Sequence, residues 1–148
     1  FVDYDMTTFR YTNAPRDFGV YGTEFFCSYP LTDRLLLQTN YTYTQQEEGE
    51  GLRIPKHKLN TSFRQQLNSN TQLLTSIQFV GDRDDKVGQD LVVLSSYWLL
   101  DFRISHQLSE PGVSLFGSIE NVFDANYEEV SGYTTRGRNL SVGVSYAF

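Results

Sequence analysis

At 148 residues, with 12 Lys and Arg against 18 Asp and Glu for a formal net charge of −6, the chain is about one domain long. It has no basic stripe to neutralise phosphates, which excludes nucleic acid as a partner. Ten Tyr and eleven Phe stand against one Trp and one Met at a mean hydropathy of −0.40, which fits short strands apolar on one side; no run reaches the roughly 18 apolar residues of a membrane helix, whereas a β-barrel stays open.

Phe1 to Tyr11 alternates loosely, with Val2, Tyr4 and Met6 on one side, and predicts a first strand that is broken at Asn13-Ala14-Pro15-Arg16. A second strand runs through Tyr29 and sets Tyr21, Thr23, Phe25, Cys27 and Tyr29 against Gly22, Glu24, Phe26 and Ser28. Cys27, on the apolar side, reads as a small packing residue. Pro30-Leu31-Thr32-Asp33 has the composition of a tight turn. The third strand, Arg34 to Thr44, places Leu35, Leu37, Thr39, Tyr41 and Tyr43 on one face, and a long polar loop, Gln45 to Lys58, follows. The fourth points Leu59, Thr61, Phe63 and Leu67 one way and Asn60, Ser62, Arg64 and Gln66 the other. After the short turn Asn68-Ser69-Asn70, the fifth carries Leu73, Thr75, Ile77 and Phe79 on its apolar face. Gly81 to Gly88 is a second long, charged loop. In the sixth strand Trp98, Leu100, Phe102 and Ile104 alternate with Leu99, Asp101, Arg103 and Ser105, and Ser109-Glu110-Pro111-Gly112 turns the chain again. The seventh runs from Val113 to Phe123, and Asp124 to Gly137 is a third long loop. The terminal strand faces Leu140, Val142, Val144, Tyr146 and Phe148 one way and Asn139, Ser141, Gly143, Ser145 and Ala147 the other.

Eight strands result, with short and long connections alternating after the first loop, the pattern of an all-β, antiparallel up-and-down transmembrane β-barrel. Alternation alone does not say whether the apolar face points in or out, and a lipocalin-like barrel would point it in. The opposite face decides. A water-facing surface carries about 25–35% charged residues, but the strand centres hold only Glu24, Arg64, Asp101, Arg103 and Glu120 among many Asn, Ser, Thr, Gln and Gly. That is a polar lumen, and the charge-free face is the lipid face, where one cation at mid-membrane would cost roughly 2–4 kcal/mol. Tyr41 and Tyr43 at one end, with Tyr29, Tyr146 and Phe148 at the other, fit two interfacial girdles. Since no edge can stand open in lipid, the strands either close on themselves as a small outer-membrane barrel of structural or surface-interaction type, or form an arc of a larger one.

Several stretches resemble the C-terminal part of TonB-dependent outer-membrane receptors: Arg16-Asp17-Phe18-Gly19-Val20, Tyr29-Pro30-Leu31-Thr32-Asp33, Tyr41-Thr42-Tyr43-Thr44 and Arg53-Ile54-Pro55-Lys56-His57-Lys58. The most specific are Glu120-Asn121-Val122-Phe123-Asp124, Tyr127-Glu128-Glu129-Val130, Gly132-Tyr133 and Gly137-Arg138; the Tyr127 to Tyr133 stretch is most similar to cobalamin and related siderophore receptors. The resemblance implies a 22-stranded barrel plugged by an N-terminal domain. Such a receptor actively imports a scarce nutrient, of the cobalamin or ferric siderophore class, across the outer membrane of a Gram-negative bacterium with TonB-derived energy. Residues 1–148 would supply the C-terminal portion of that barrel, without the plug and the TonB box, and would not transport by that mechanism alone. They would meet the TonB complex only through N-terminal parts outside these residues. The implied partners are outer-membrane lipid, the rest of the barrel and plug, and the barrel-assembly machinery, whose signal Tyr146 and Phe148 resemble. Phe1, with no initiating Met or secretory segment, is expected to follow a removed leader or a longer protein, and Phe148 to be a true C-terminus.

No cofactor and no catalysis are expected. His57 and His106 are remote in sequence from any fitting Ser or Cys, so a Ser/His hydrolase finds little support. Asp82, Asp84 and Asp85 are weak candidates for a hard cation, as are Glu47, Glu48 and Glu50, a solvated acidic loop being the simpler reading. Ligand contact suits the long loops better. Tyr133, Arg136 and Arg138 offer aromatic and cationic groups to an anionic ligand, but for Arg136 and Arg138 the favoured expectation is that they pair with Glu128 and Glu129 to order the loop. Pro55 to Lys58 read as residues leading into the fourth strand at headgroup level.

Overall fold

The computed structural model describes residues 2–5, 7–13, 19–46, 51–88, 90–109 and 112–147. They contain β1 (Val2–Asp5), β2 (Arg10–Asn13), β3 (Val20–Thr32), β4 (Leu35–Gln46), β5 (His57–Asn68), β6 (Thr71–Val80), β7 (Arg83–Val87), β8 (Asp90–Leu94), β9 (Tyr97–Gln107), β10 (Val113–Glu120) and β11 (Asn139–Tyr146). Seven of these form one antiparallel sheet in the order β11-β10-β9-β6-β5-β4-β3, while β1-β2 and β7-β8 form separate two-stranded sheets. The sheet is open, since β3 pairs only with β4, and β11 only with β10, among the described residues.

The cross-strand register joins the predicted faces into continuous rows. Phe25 lies opposite Tyr41, Tyr41 opposite Leu59, and Leu59 opposite Phe79, which itself faces Trp98. Further along, Ile77 faces Leu100, Ile119 faces Phe102 and Leu140, and Leu115 faces Val144. Val142, Leu140 and Phe25 are exposed, so the apolar rows line the outside of the sheet rather than a core. Two of the hydroxyls that interrupt them, on Thr39 and Thr61, hydrogen-bond each other at 2.9 Å. Along β6 the row from Thr71 to Phe79 gives about 21 Å of height at ~3.4 Å per residue and a ~40° tilt. That is close to the ~25 Å apolar band of an outer-membrane barrel.

The other face carries Asn40, Asn60 and Gln78 in register, with Asp101 and Arg103 beside them on β9. Ser118 and Ser141 hydroxyls meet at 2.6 Å, and the Arg103 guanidinium lies 4.1 Å from the centroid of Phe116. Phe116 lies flat over Gly143, where any Cβ would collide with its ring, an aromatic covering a strand glycine.

The structure corrects the strand count and several boundaries. The first predicted strand is the hairpin β1-β2, folded back at residues 7–9 around Phe9 at φ 52 and, among the described residues, not joined to the seven-stranded sheet. Among the described residues it does not pair with β11, the pairing that a self-closed barrel needs. The second strand continues through Pro30 to Thr32, with a bulge between Pro30 and Thr32 and the turn at Asp33-Arg34. Proline is accommodated there because it stands at the bulge where the strand ends. The seventh stops at Glu120, because Asn121 adopts φ 50. The charged loop after Gly81 contains β7-β8, with Gly88 at φ 66 in its turn.

Candidate functional site at the long-loop end

The connections β4–β5, β6–β9 and β10–β11 all emerge at one end of the sheet, and there the chain buries charge. Along β7 the side chains alternate, leaving Asp84 exposed and Arg83 and Asp85 buried. Asp85, fully buried, accepts hydrogen bonds from Arg53 Nε at 2.8 Å, the Ser131 amide at 2.7 Å and the Lys86 amide at 2.9 Å. One carboxylate thus joins all three loops. The Ser131 amide holds its pKa below the ordinary carboxylate value against the opposing effect of burial, with the Lys86 amide and Arg53 adding to the lowering. Arg53 sits at φ 62 and donates its own amide to the Asp84 carbonyl at 2.7 Å, which fixes the first loop to the hairpin.

Arg83 makes the second tie. Its guanidinium donates to the Glu128 carbonyl and, at 3.4 Å, to Glu129 Oε2, and it lies 5.2 Å from the ring centroid of Tyr97. The Tyr97 hydroxyl donates to the other Glu129 oxygen, and its ring lies 4.2 Å from that of Tyr127. Buried Val80, Leu94 and Tyr97 supply the small apolar centre of this cluster.

The loop after β10 is shaped by its own residues. Asn121 accepts from the Ala125 amide at 2.8 Å and donates to the Ala125 carbonyl at 3.0 Å. Its backbone amide donates to Asp101 at 2.8 Å. Asp124, at φ 54, accepts from the Arg138 amide at 2.7 Å and so closes the loop on the start of β11. The Glu120 to Asp124 motif is therefore a backbone-shaping device. Such positions tolerate left-handed φ because Asn and Asp side chains bond locally.

Tyr133, Arg136 and Arg138 are all exposed on this braced loop. The expected pairing of Arg136 and Arg138 with Glu128 and Glu129 is corrected: Glu129 bonds Arg83 and Tyr97, and the Glu128 carboxylate accepts from the Gly132 amide at 3.1 Å. A cavity of about 430 Å³ opens between the β8–β9 link and the last loop, lined among others by Val93, Ser96, Asn126, Tyr127 and Thr134.

Asp82, Asp84 and Asp85 do not converge. Asp82 accepts from the Ser96 amide at 2.6 Å, Asp84 is exposed and Asp85 is spent on the loop tie; among the described residues no group of three His, Cys, Asp or Glu is set to hold a metal. Glu47, Glu48, Glu50 and Phe148 lie outside the described residues. Tyr146 ends β11 opposite Val113. The two imidazoles sit at opposite ends of the apolar face, His57 bonded to the Tyr41 hydroxyl and His106 to that of Thr71, each at 2.8 Å. Neither meets a carboxylate among the described residues.

A family model described as "TonB dependent receptor-like, beta-barrel" matches residues 1–122. The chain is 28% identical over 140 residues to an iron-regulated outer membrane virulence protein of Vibrio cholerae serotype O1, covering 86% of this chain and 21% of that protein. Among solved structures, a mutant ferric enterobactin receptor of Pseudomonas aeruginosa superimposes with a TM-score of 0.74 at 22% identity, over 87% of this chain and 22% of that one. The ferric-catecholate import receptor Fiu of E. coli K12 gives a TM-score of 0.74 at 16% identity, over 99% of this chain and 23% of that one. The P. aeruginosa ferripyoverdine receptor, bound to ferripyoverdine, gives 0.70 at 18% identity, over 86% and 19%. The chain thus spans about a fifth of the length of the proteins it matches.

Proposed function

This chain belongs to the TonB-dependent receptor β-barrel family, and from that premise we propose that it is the C-terminal wall of a receptor that imports a ferric siderophore. Its location is the outer membrane of a Gram-negative bacterium. In this reading residues 1–148 complete a larger barrel whose plug lies elsewhere in the receptor, energy arrives through TonB, and Tyr146 and Phe148 address the barrel to its assembly machinery. The role is transport rather than catalysis. The single observation that carries the reading is the braced last loop, which presents Tyr133, Arg136 and Arg138 to solvent while Glu128 and Glu129 are occupied elsewhere. Guanidinium groups free of those carboxylates suit an anionic catecholate or hydroxamate complex of iron. The iron-linked names of the relatives favour that class over cobalamin, which the Tyr127 to Tyr133 stretch also resembles.

In the full-length receptor, Arg136→Ala with Arg138→Ala should weaken ferric siderophore binding about tenfold or more, as expected for lost charge-assisted contacts. Quenching of intrinsic fluorescence on titration with ferric enterobactin, ferripyoverdine and cobalamin measures it. Unchanged affinity for all three, or tight binding of cobalamin alone, overturns the assignment.

A further inference from the structure

Within the strands, the lipid-facing rows are free of charged side chains until the long-loop end of β4 and β5. There the register sets Tyr43 opposite His57, next to the pair Tyr41 and Leu59. His57 Nδ1 lies 2.8 Å from the Tyr41 hydroxyl, and its ring centroid is 5.4 Å from that of Tyr43 and 6.2 Å from that of Tyr41. The Lys56 ammonium sits 5.9 Å from the Tyr43 centroid. Lys56 and His57 are exposed, and neither forms an ion pair among the described residues. When the Tyr41 hydroxyl donates to Nδ1, the ring proton of His57 is on Nε2, leaving a donor on the unbonded edge.

The arrangement is local to this stretch of the wall. At the same end the last outward strand positions on β6, β9, β10 and β11 are Phe79, Trp98, Ile119 and Leu140, none of them cationic; the nearest cation on that side of β11, Arg138, precedes the strand in the last loop. Lys58 falls on the lumenal face, opposite Thr42. An ammonium and an imidazole donor, held by two tyrosine rings where the apolar band ends, complement an anion that is itself attached to hydrocarbon. We propose that Lys56, His57, Tyr41 and Tyr43 bind the phosphorylated headgroup of an outer-leaflet amphiphile, whose acyl chains lie along Leu59, Phe79 and Leu37 below.

Native mass spectrometry of the full-length receptor in non-ionic detergent tests this with three probes: bisphosphorylated lipid A, the same lipid after phosphatase treatment, and inorganic phosphate. The expected result is retention of one bisphosphorylated lipid, weakened about tenfold by Lys56→Gln with His57→Ala and unaltered by Lys58→Gln or Lys56→Arg. Heat-modifiable gel migration verifies folding; if the double variant loses its folded band, Lys56→Gln alone carries the comparison. Equal retention of the dephosphorylated lipid, or undiminished retention in the variant, overturns the proposal. So does displacement by inorganic phosphate at concentrations equal to the lipid, which would make this a site for the free ion.

Discussion

At the residue scale, Asp85 governs the long-loop end. Its two carboxylate oxygens serve Arg53, Ser131 and Lys86, so Asp85→Asn leaves Arg53 without its counter-charge and turns one acceptor oxygen into a donor. In the full-length receptor, hydrogen exchange over residues 126–136 should rise by an order of magnitude or more, while exchange in β9 and β10 stays put. Because the folded pKa lies below the ordinary value of 3.8, the stabilisation is present above that value and is lost only as pH falls through the depressed one. Loop protection measured by limited proteolysis should therefore be flat from neutral pH down to the carboxylate range and fall beneath it. A loss already at pH 5 to 6 would assign the clasp to another group. Three aspartates in a charged stretch read as solvated, so the one signal of this role, the period-two spacing of Arg83 and Asp85 around Asp84, was masked.

At the element scale, the faces of the seven wall strands were legible because a strand's side chains alternate without drift and each row meets another apolar row across the register. The two hairpins were not. In β7 the inward residues are charged, so the usual apolar mark of burial is missing, and β1-β2 was merged because Phe9 turns the chain where no glycine or proline stands. The Tyr133, Arg136 and Arg138 loop was singled out by its residue types, but its bracing by Asp85, Arg83 and Tyr97 depends on contacts over 32 to 46 residues of separation. The face assignment carries its own expectation. Val142→Lys or Leu100→Lys should destabilise the folded receptor by roughly 2–4 kcal/mol near the bilayer centre, whereas Ser141→Lys or Asp101→Lys should cost much less. Urea titrations in lipid vesicles read the difference, and equal effects on the two faces would refute the orientation.

At the scale of the whole molecule, the seven-stranded wall has, among the described residues, two open edges, along β3 and β11, whose backbone groups need partners in hydrocarbon. Each unsatisfied group costs several kcal/mol there. Residues 1–148 refolded alone should accordingly give no heat-modifiable monomer band, while the full receptor should give one; a stable monomer from the fragment would mean that the wall closes on itself. One side chain in that wall offers a way to time its formation. Cys27, the chain's single cysteine, stands in the outward row between Phe25 and Tyr29, opposite Thr39. A thiol so placed is a clock for insertion: water-borne maleimide reaches it until the wall enters the bilayer, and afterwards only a reagent dissolved in the lipid does. The decay of aqueous labelling dates burial in hydrocarbon separately from the pairing of strands.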